Sequence, residues 1–219
     1  MNRERGPHEG QPLLMGGEAL DRAAAAMVMV HGRGAAAEDI LELTGELKQA
    51  GFAYLAPQAA QHSWYPNSFL APISSNEPGL SSGLAVIASI LVQLANVLEA
   101  GIPAERTILL GFSQGACLAL EFAARHAQRY GGLVGLSGGL IGPDGTPRDY
   151  AGSLGGTPVF LGCSDSDFHI PKERVEHSAE VLQRLGGSVT KRLYPHMGHT
   201  VNRDEIRFVH DMMAALVEK

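Results

Sequence analysis

Short apolar runs alternate along the chain with longer segments in which apolar residues recur at helical spacing. The short runs predict strands at residues 26–30, 52–56, 106–110, 132–136, 157–163 and 188–194. The longer segments predict helices at residues 37–50, 82–100, 116–125 and 171–185, and a final helix that Asn202 caps and that reaches residue 217. Residues 12–22 are predicted to form an edge hairpin. Repeated strand–helix units of this length indicate an α/β fold, with a mainly parallel central sheet and helices on both faces.

Length and composition indicate one ordinary globular domain. A chain of 219 residues is long enough for a single α/β domain with a full core. We expect that domain to occupy residues 12–219, after a disordered segment at residues 1–11. Hydrophobic residues make up 45% and charged residues 18% of the chain, as is usual for soluble proteins. No run is long and apolar enough to span a bilayer, and the polar start has no signal-peptide core.

The charge balance narrows the class of partner. A formal net charge of -6 argues against nucleic acid and against stable membrane association. It favours a cytoplasmic enzyme with a small-molecule substrate. The two cysteines, Cys117 and Cys163, lie in predicted buried elements and predict no disulfide framework, which agrees with a reducing compartment. The sequence leaves the oligomeric state open, a homodimer included.

The motif Gly111-Phe112-Ser113-Gln114-Gly115 joins a predicted strand to a predicted helix. Gly-x-Ser-x-Gly in that context is the pattern of a nucleophile elbow, a sharp turn that exposes a serine hydroxyl at the carboxyl end of a strand. The helix that follows would favour developing negative charge at its N-terminus. The alternative is a glycine-rich turn that contains a serine by chance, since the chain has 27 glycines.

A serine nucleophile needs a base and an acid that orients the base, and in this fold both follow the serine in the chain. The loop after the strand at residues 157–163 offers two acids, Asp165 and Asp167. The loop after the last strand offers two bases, His196 and His199. Gly198 precedes His199 and would allow the backbone to turn that ring toward the serine.

Backbone N–H groups of Arg33 and Gln114 are the candidate donors to an oxyanion, because the loop after an early strand and the residue after the nucleophile usually supply them. The glycines on either side of Arg33 would let that loop open toward a substrate. A dinucleotide site is a poor alternative, since no third glycine follows at the required spacing. The nine histidines are scattered without metal-ligand spacing, so no metal and no cofactor is predicted.

Several separated motifs occur together in the order of one family. They are the elbow, the His31–Gly34 loop, Asp167-x-x-x-Pro171 and Gly198-His199, with Trp64-Tyr-Pro66 and Asn76-Glu-Pro78 between them. With these motifs the chain resembles the phospholipase/carboxylesterase family of α/β hydrolases over residues 12–217. That family includes bacterial carboxylesterases and acyl-protein thioesterases.

The resemblance implies a serine carboxylesterase acting on small or short-chain esters, with Ser113 as nucleophile, Asp167 as acid and His199 as base. It also implies that Arg33 and Gln114 form the oxyanion hole. Arg33 stands where the thioesterase branch typically has leucine, which argues against long-chain protein depalmitoylation. An acyl thioesterase and a lysophospholipase are the alternatives within the enzyme class. A ligand-binding module that has lost turnover is the alternative of another class, and the intact serine, aspartate and histidine argue against it.

The surroundings of the site give three further expectations. Trp64, Tyr65 and Phe69 either line the substrate pocket or pin a long loop to the sheet. The loop at residues 137–157 is too short and polar for a lipase-type lid, so we expect an open site. The Arg33 side chain either pairs with an acidic group of the substrate or caps a loop carbonyl.

Overall fold

A seven-stranded sheet forms the centre of the molecule. The computed structural model describes residues 5–97 and 101–218 and arranges the strands in the order β1-β3-β2-β4-β5-β6-β7. The strands are Leu13–Gly17 (β1), Ala25–Val30 (β2), Phe52–Pro57 (β3), Thr107–Phe112 (β4), Gly132–Leu136 (β5), Pro158–Ser164 (β6) and Ser188–Tyr194 (β7). All neighbouring strands pair in parallel except β1, which pairs antiparallel with β3.

Helices cover both faces of this sheet. The α-helices are Ala37–Leu41 (α1), Gly79–Ala95 (α2), Gln114–Arg125 (α3), Lys172–Arg184 (α4) and Arg203–Val217 (α5). Short 3-10 helices occupy Glu42–Gly45, Ala60–His62, Ile73–Asn76 and Ala104–Arg106. Apolar residues of α2, α3 and α4 pack in one core cluster, and those of α1 and α5 pack in the other. The predicted α/β-hydrolase architecture, a mainly parallel sheet between two helical layers, is confirmed.

Strand β2 shows why the central strands carry no polar residues. Each of its six residues is buried. Val28 and Val30 point into the core beneath α2, α3 and α4, whereas Met27 and Met29 point into the core beneath α1 and α5. A strand with helices on both sides has no face left for water, so it lacks the alternation that marks a half-exposed strand.

The helix predicted at residues 37–50 is much shorter than expected. Helix α1 ends at Leu41, and one turn of 3-10 helix follows it. The hydroxyl of Tyr54 in β3 donates to the carbonyl of Leu47 (2.6 Å) and accepts from the N–H of Gln49 (3.1 Å). A helix that continued to residue 50 would bond the Gln49 N–H within the helix, so the Tyr54 hydroxyl of the next strand replaces that helical bond.

Two predictions near the N-terminus are wrong. No hairpin forms at residues 12–22, because β1 pairs with β3 instead. The disorder predicted for residues 1–11 does not extend to His8, whose ring accepts from the N–H of Ala60 (3.1 Å) and bonds the carbonyl of Trp64 (2.8 Å). Two backbone partners satisfy this imidazole, which explains how this polar side chain can be buried in a segment that is otherwise mostly exposed. Residues 1–4 lie outside the described part of the chain.

Helix α2 begins three residues earlier than predicted. The Glu77 carboxylate accepts from the N–H of Ser81 (3.0 Å) and thereby caps the first turn. The helix ends at Ala95, and residues 98–100, with which the predicted helix ended, lie outside the described residues.

The turn between β4 and α3 depends on two glycines. A Cβ atom at Gly111 would overlap the backbone of Gly115, and a Cβ atom at Gly115 would overlap the carbonyl groups of Val30 and His31. Helix α3 therefore lies directly against the end of β2. This contact fixes the distance between the serine turn and the loop after β2.

We expect Gly115→Ala to lower the free energy of unfolding by about 3 kcal/mol or more, because rigid backbone rather than a mobile side chain occupies the space of the new methyl group. Urea unfolding would measure the loss. Gly45→Ala is the matched control, since a Cβ atom at Gly45 has nothing within 4 Å. Equal stabilities of the two variants would show that the close approach is not a constraint.

Candidate active site

Ser113 lies between the end of β4 and the start of α3, with φ 53° and ψ -118°. A positive φ is uncommon for a residue other than glycine, and such strain is kept where the surroundings enforce it. The Ser113 N–H donates to the carbonyl of Leu136 (2.9 Å), and the Ser113 carbonyl accepts from the N–H of Cys117 (3.0 Å). The turn is therefore held by both neighbouring elements.

The ring of His199 connects the predicted nucleophile with one of the two predicted acids. Its Nε2 atom lies 2.9 Å from Oγ of Ser113, and its Nδ1 atom lies 2.7 Å from Oδ2 of Asp167. These residues are 86 and 32 positions away from His199 in the chain. The parallel sheet brings them together, because β4, β6 and β7 all end at the same edge.

The Asp167 carboxylate is fully buried and has several hydrogen-bond donors. Its Oδ1 atom accepts from the backbone N–H groups of His169 (2.8 Å) and Ile170 (3.1 Å). Burial alone would raise the pKa of Asp167. The hydrogen bonds from His199 and from the two N–H groups outweigh burial and hold the pKa below its usual value, so the group is ionised at neutral pH.

The other two candidates lie outside this arrangement. Asp165 accepts from the backbone N–H of His196 (3.0 Å), and His196 itself is exposed. Asp165 thus connects the two loops without touching the His199 ring. Gly198 has φ 80°, which gives His199 the backbone turn that the sequence predicted.

The loop after β2 presents an amide next to the serine turn. Among the described residues, neither the N–H of Arg33 nor that of Gln114 has a hydrogen-bond acceptor. The buried ring of His31 holds the loop: Nε2 accepts from the N–H of Ala59 (3.1 Å), so Nδ1 donates to the carbonyl of Gly32 (2.8 Å). Burial lowers the pKa of His31, which keeps this ring neutral and its tautomer fixed.

The Gln114 side chain joins the serine turn to the long loop before α2. Its Oε1 atom accepts from the N–H of Trp64 (2.9 Å), and its Nε2 atom donates to the carbonyl of Tyr65 (2.8 Å). Both the oxygen and the nitrogen of the Gln114 side chain therefore form hydrogen bonds with this loop.

An open cleft of about 480 Å³ lies beside Ser113. Tyr65 and Phe69 line it, which agrees with the first of the two alternatives for these residues. Trp64, the tentative third pocket residue, does not line it, so for Trp64 the structure has the second alternative. Its indole is fully buried and donates to the carbonyl of His31 (3.0 Å), so Trp64 pins the loop to the sheet. Its large apolar surface is better satisfied there than in an open cleft.

The Arg33 side chain is held by the same loop. Its Nη1 atom donates to Oγ of Ser63 (3.1 Å) and to the carbonyl of Pro66 (3.0 Å), and its Nη2 atom donates to the carbonyl of Asn67 (2.6 Å). Of the two alternatives for this side chain, the structure therefore has the one in which it caps loop carbonyls.

Three contacts of the site had no sequence signal of their own. The rings of Phe112 and His169 pack against His199, with centroids 5.0 Å and 4.9 Å away. The Cys163 thiol lies 3.8 Å from Oδ2 of Asp167. Burial raises the pKa of Cys163 to about 12, so this thiol stays protonated and can donate to the carboxylate.

Glu205 is a fully buried carboxyl group just beyond the His199 loop, in the first turn of α5. Its Oε2 atom accepts from the N–H of Asn202 (2.8 Å), while Oε1 has no hydrogen-bond partner among the described residues. Burial raises the pKa of Glu205 to about 7, the Asn202 hydrogen bond opposes that effect, and the charge of Asp204 adds to it.

Neither a cluster of possible metal ligands nor a membrane-spanning helix occurs among the described residues. None of their histidine, cysteine, aspartate and glutamate side chains form a group of three or more that could hold a metal ion. None of the helices in residues 5–97 and 101–218 is long and apolar enough to cross a membrane.

A mainly parallel sheet, a glycine-flanked serine turn and a serine–histidine–aspartate contact together define the class of α/β hydrolases. Residues 18–217 match the model of the Phospholipase/Carboxylesterase family, and the chain belongs to that family. The resemblance stated from the motifs is thereby confirmed, and the chain is placed among the serine hydrolases.

Similar proteins have been named as both carboxylesterases and thioesterases. A phospholipase/carboxylesterase from Dyadobacter fermentans DSM 18053 is 40% identical, with a TM-score of 0.88 over 94% of this chain and 97% of that one. Acyl-protein thioesterase 1 from Gibberella zeae is 33% identical over 115 residues, 50% of this chain and 47% of that protein. A probable carboxylesterase from Oryza sativa subsp. japonica is 27% identical over 149 residues, which are 68% of this chain and 56% of that protein. The chain spans about half the length of these two curated relatives.

The buried carboxyl of Glu205 predicts how stability changes with pH. Between about pH 4.5, where an unfolded glutamate titrates, and pH 7 the folded protein keeps a proton that the unfolded chain has lost. This group therefore makes stability fall as pH rises through that window, by on the order of 3 kcal/mol. In urea unfolding, the free energy of unfolding should fall between pH 5 and pH 8 by about 2–3 kcal/mol less in Glu205→Gln than in the wild type.

Glu180→Gln, which replaces an exposed carboxyl on α4, is the control and should follow the wild-type curve. Parallel pH curves for wild type and Glu205→Gln would refute the raised pKa.

Proposed function

We propose that this protein hydrolyses small carboxylic esters through Ser113, His199 and Asp167. The observation that carries the proposal is the position of His199, within hydrogen-bond distance of the serine hydroxyl on one side and of the buried carboxylate on the other. A nucleophile, a base and a group that orients the base are the three parts that acyl transfer to serine requires.

The reaction has two halves. Ser113 Oγ attacks the ester carbonyl while Nε2 of His199 accepts its proton, and the resulting imidazolium then protonates the leaving alcohol. Water then attacks the acyl-enzyme while Nε2 of His199 accepts a proton from it. That proton passes to Ser113 Oγ as the carboxylic acid leaves. The ionised Asp167 holds the Nδ1 proton of His199, which keeps Nε2 free to accept.

The free N–H groups of Arg33 and Gln114 would stabilise the oxyanion of each tetrahedral intermediate. Both lie beside the serine turn, and the described residues leave both without an acceptor. The N-terminus of α3 adds a favourable dipole at the same point. Such donors contribute because they are already oriented when the negative charge develops.

Three features favour small substrates over long acyl chains. The cleft beside Ser113 has a volume of about 480 Å³. No helix covers it from residues 137–157, which are described throughout. Arg33, tied to the loop at Pro66 and Asn67, stands at its edge.

A thioesterase is the second candidate, because one of the relatives is named acyl-protein thioesterase 1 and the same machinery cleaves both kinds of bond. Rates with matched oxygen esters and thioesters of two to sixteen carbons would separate the candidates. We expect the highest kcat/KM for short oxygen esters. A maximum for long thioesters would favour the second candidate.

Ser113→Ala should reduce the hydrolysis of p-nitrophenyl acetate at least about 10³-fold, since the substitution removes only the attacking oxygen. The initial rates of purified proteins with matching circular dichroism spectra would measure the effect. Near wild-type activity in the variant would exclude the serine mechanism, and an inactive wild type would favour a binding module.

Asp167→Asn should lower kcat by about 10⁴-fold, because an amide stabilises the wrong tautomer of His199. Asp165→Asn is the matched control two residues away, and we expect a much smaller effect because the Asp165 carboxylate accepts from the His196 backbone and not from the His199 ring. The reverse ranking of the two variants would show that Asp165 is the acid.

A further inference from the structure

A second cavity of about 500 Å³ lies behind one wall of the cleft. Leu70 and Pro171 line it, while the residues just before them, Phe69 and Ile170, line the cleft beside Ser113. The two spaces therefore share two chain segments as a partition. Two arginines of the second cavity are the unusual feature of its lining.

The side chains of Arg148 and Arg174 are only 6% and 5% exposed. Arg174 is held firmly: Nη1 donates to the carbonyls of Leu140 (2.9 Å) and Gly142 (2.5 Å), and Nη2 donates to Oδ1 of Asp144 (2.7 Å). Guanidinium groups are rarely buried to this extent unless acceptors surround them.

Arg148 has fewer partners. Its Nη1 atom lies 2.8 Å from the hydroxyl of Tyr150 and 3.4 Å from Oε2 of Glu121. Its Nε and Nη2 atoms have no acceptor among the described residues. Neither atom is among the fully buried, unpartnered side-chain atoms of the described residues, so each keeps some accessible surface, and Arg148 lines the cavity.

The balance of buried charge also favours an anion. Glu121 is 1% exposed and is shared by Arg148 and by Arg125, whose Nε atom lies 2.7 Å from it. The partner of Arg174 is Asp144, whose side chain is fully exposed to water and therefore compensates a buried charge weakly. Of the two buried guanidinium groups, that of Arg148 thus shares one buried carboxylate with Arg125, and that of Arg174 pairs with an exposed carboxylate.

Among the other groups at the cavity, some oppose the binding of an anion and some favour it. Glu173 is exposed and opposes an anion, while His177 at the rim can donate to one. The first residues of α4, a helix of 13 residues, also line the cavity, and the N-terminus of a helix favours negative charge.

We propose that this cavity is a binding site for an oxyanion group, a carboxylate or a phosphate, held by Arg148 and Arg174. The planar guanidinium of Arg148 can donate two parallel hydrogen bonds from Nε and Nη2, which fits both groups. Binding requires no turnover, so the proposal does not depend on the proposed esterase activity.

Isothermal titration of the full-length protein with inorganic phosphate and with succinate tests the proposal and distinguishes the two groups. The buffer would contain neither carboxylate nor phosphate, at constant ionic strength, with sodium chloride as the control titrant. We expect saturable binding of at least one of the two anions, with a dissociation constant on the order of 1 mM or lower. The tighter binder identifies the group.

Arg148→Gln should weaken that binding about tenfold or more, because it removes the free charged donors. Arg125→Gln is the matched control: it also removes an arginine from Glu121, but Arg125 does not line the cavity, so binding should persist. Asp144→Asn, a change on an exposed loop, should tighten binding about threefold because it removes the competing carboxylate from Arg174.

Three results would overturn the proposal: no saturable binding of either anion, equal binding by wild type and Arg148→Gln, or equal losses in Arg148→Gln and Arg125→Gln. If Arg148→Gln does not fold, the wild-type titrations and Asp144→Asn decide. Unchanged or weaker binding in Asp144→Asn would then mean that the two arginines only brace the loop.

Discussion

The site depends on the direct contact between the backbone of Gly115 and the end of β2. Because no side chain separates them, helix α3 starts close enough to the His31–Gly34 loop for Arg33 and Gln114 to line the same cleft. Ser113 takes up its strained conformation in the same turn, with φ 53°. One close approach of two backbones therefore sets the geometry of both the candidate nucleophile and the candidate oxyanion donors.

Two buried, neutral histidines hold the loops around this site in place. The ring of Trp64 packs between His8 and His31, with centroids 5.2 Å and 5.1 Å away. Burial lowers the pKa of both histidines, and backbone groups satisfy both nitrogens of each ring. A neutral ring with a fixed tautomer forms hydrogen bonds in defined directions, and these bonds hold an otherwise irregular loop in one conformation. The N-terminal segment thus supports the long loop after β3, to which the Arg33 side chain bonds, although it is far from Ser113 in the sequence.

Patterns of neighbouring residues in the sequence predicted the features that depend mainly on interactions between neighbouring residues. The strands at residues 132–136 and 188–194 have the predicted bounds, because apolar runs between helices have few alternatives. The motifs also led to Asp167 and His199, which the sheet brings to Ser113. The end of α1 and the burial of His8 were missed, since each depends on a contact with another element: Tyr54 of β3 is 7 residues from Leu47, and Ala60 is 52 residues from His8. The position of Trp64 in the core rather than in the cleft was open for the same reason.

The central claim is that Ser113 is a nucleophile activated by His199. Covalent labelling with a fluorophosphonate, followed by peptide mass spectrometry, tests it most directly, because the reagent reports the reactivity of the hydroxyl without depending on the substrate. We predict one label per chain, on Ser113, and a labelling rate about 10³-fold or more lower in His199→Ala. A label on another residue, or an unchanged rate in His199→Ala, would contradict the account.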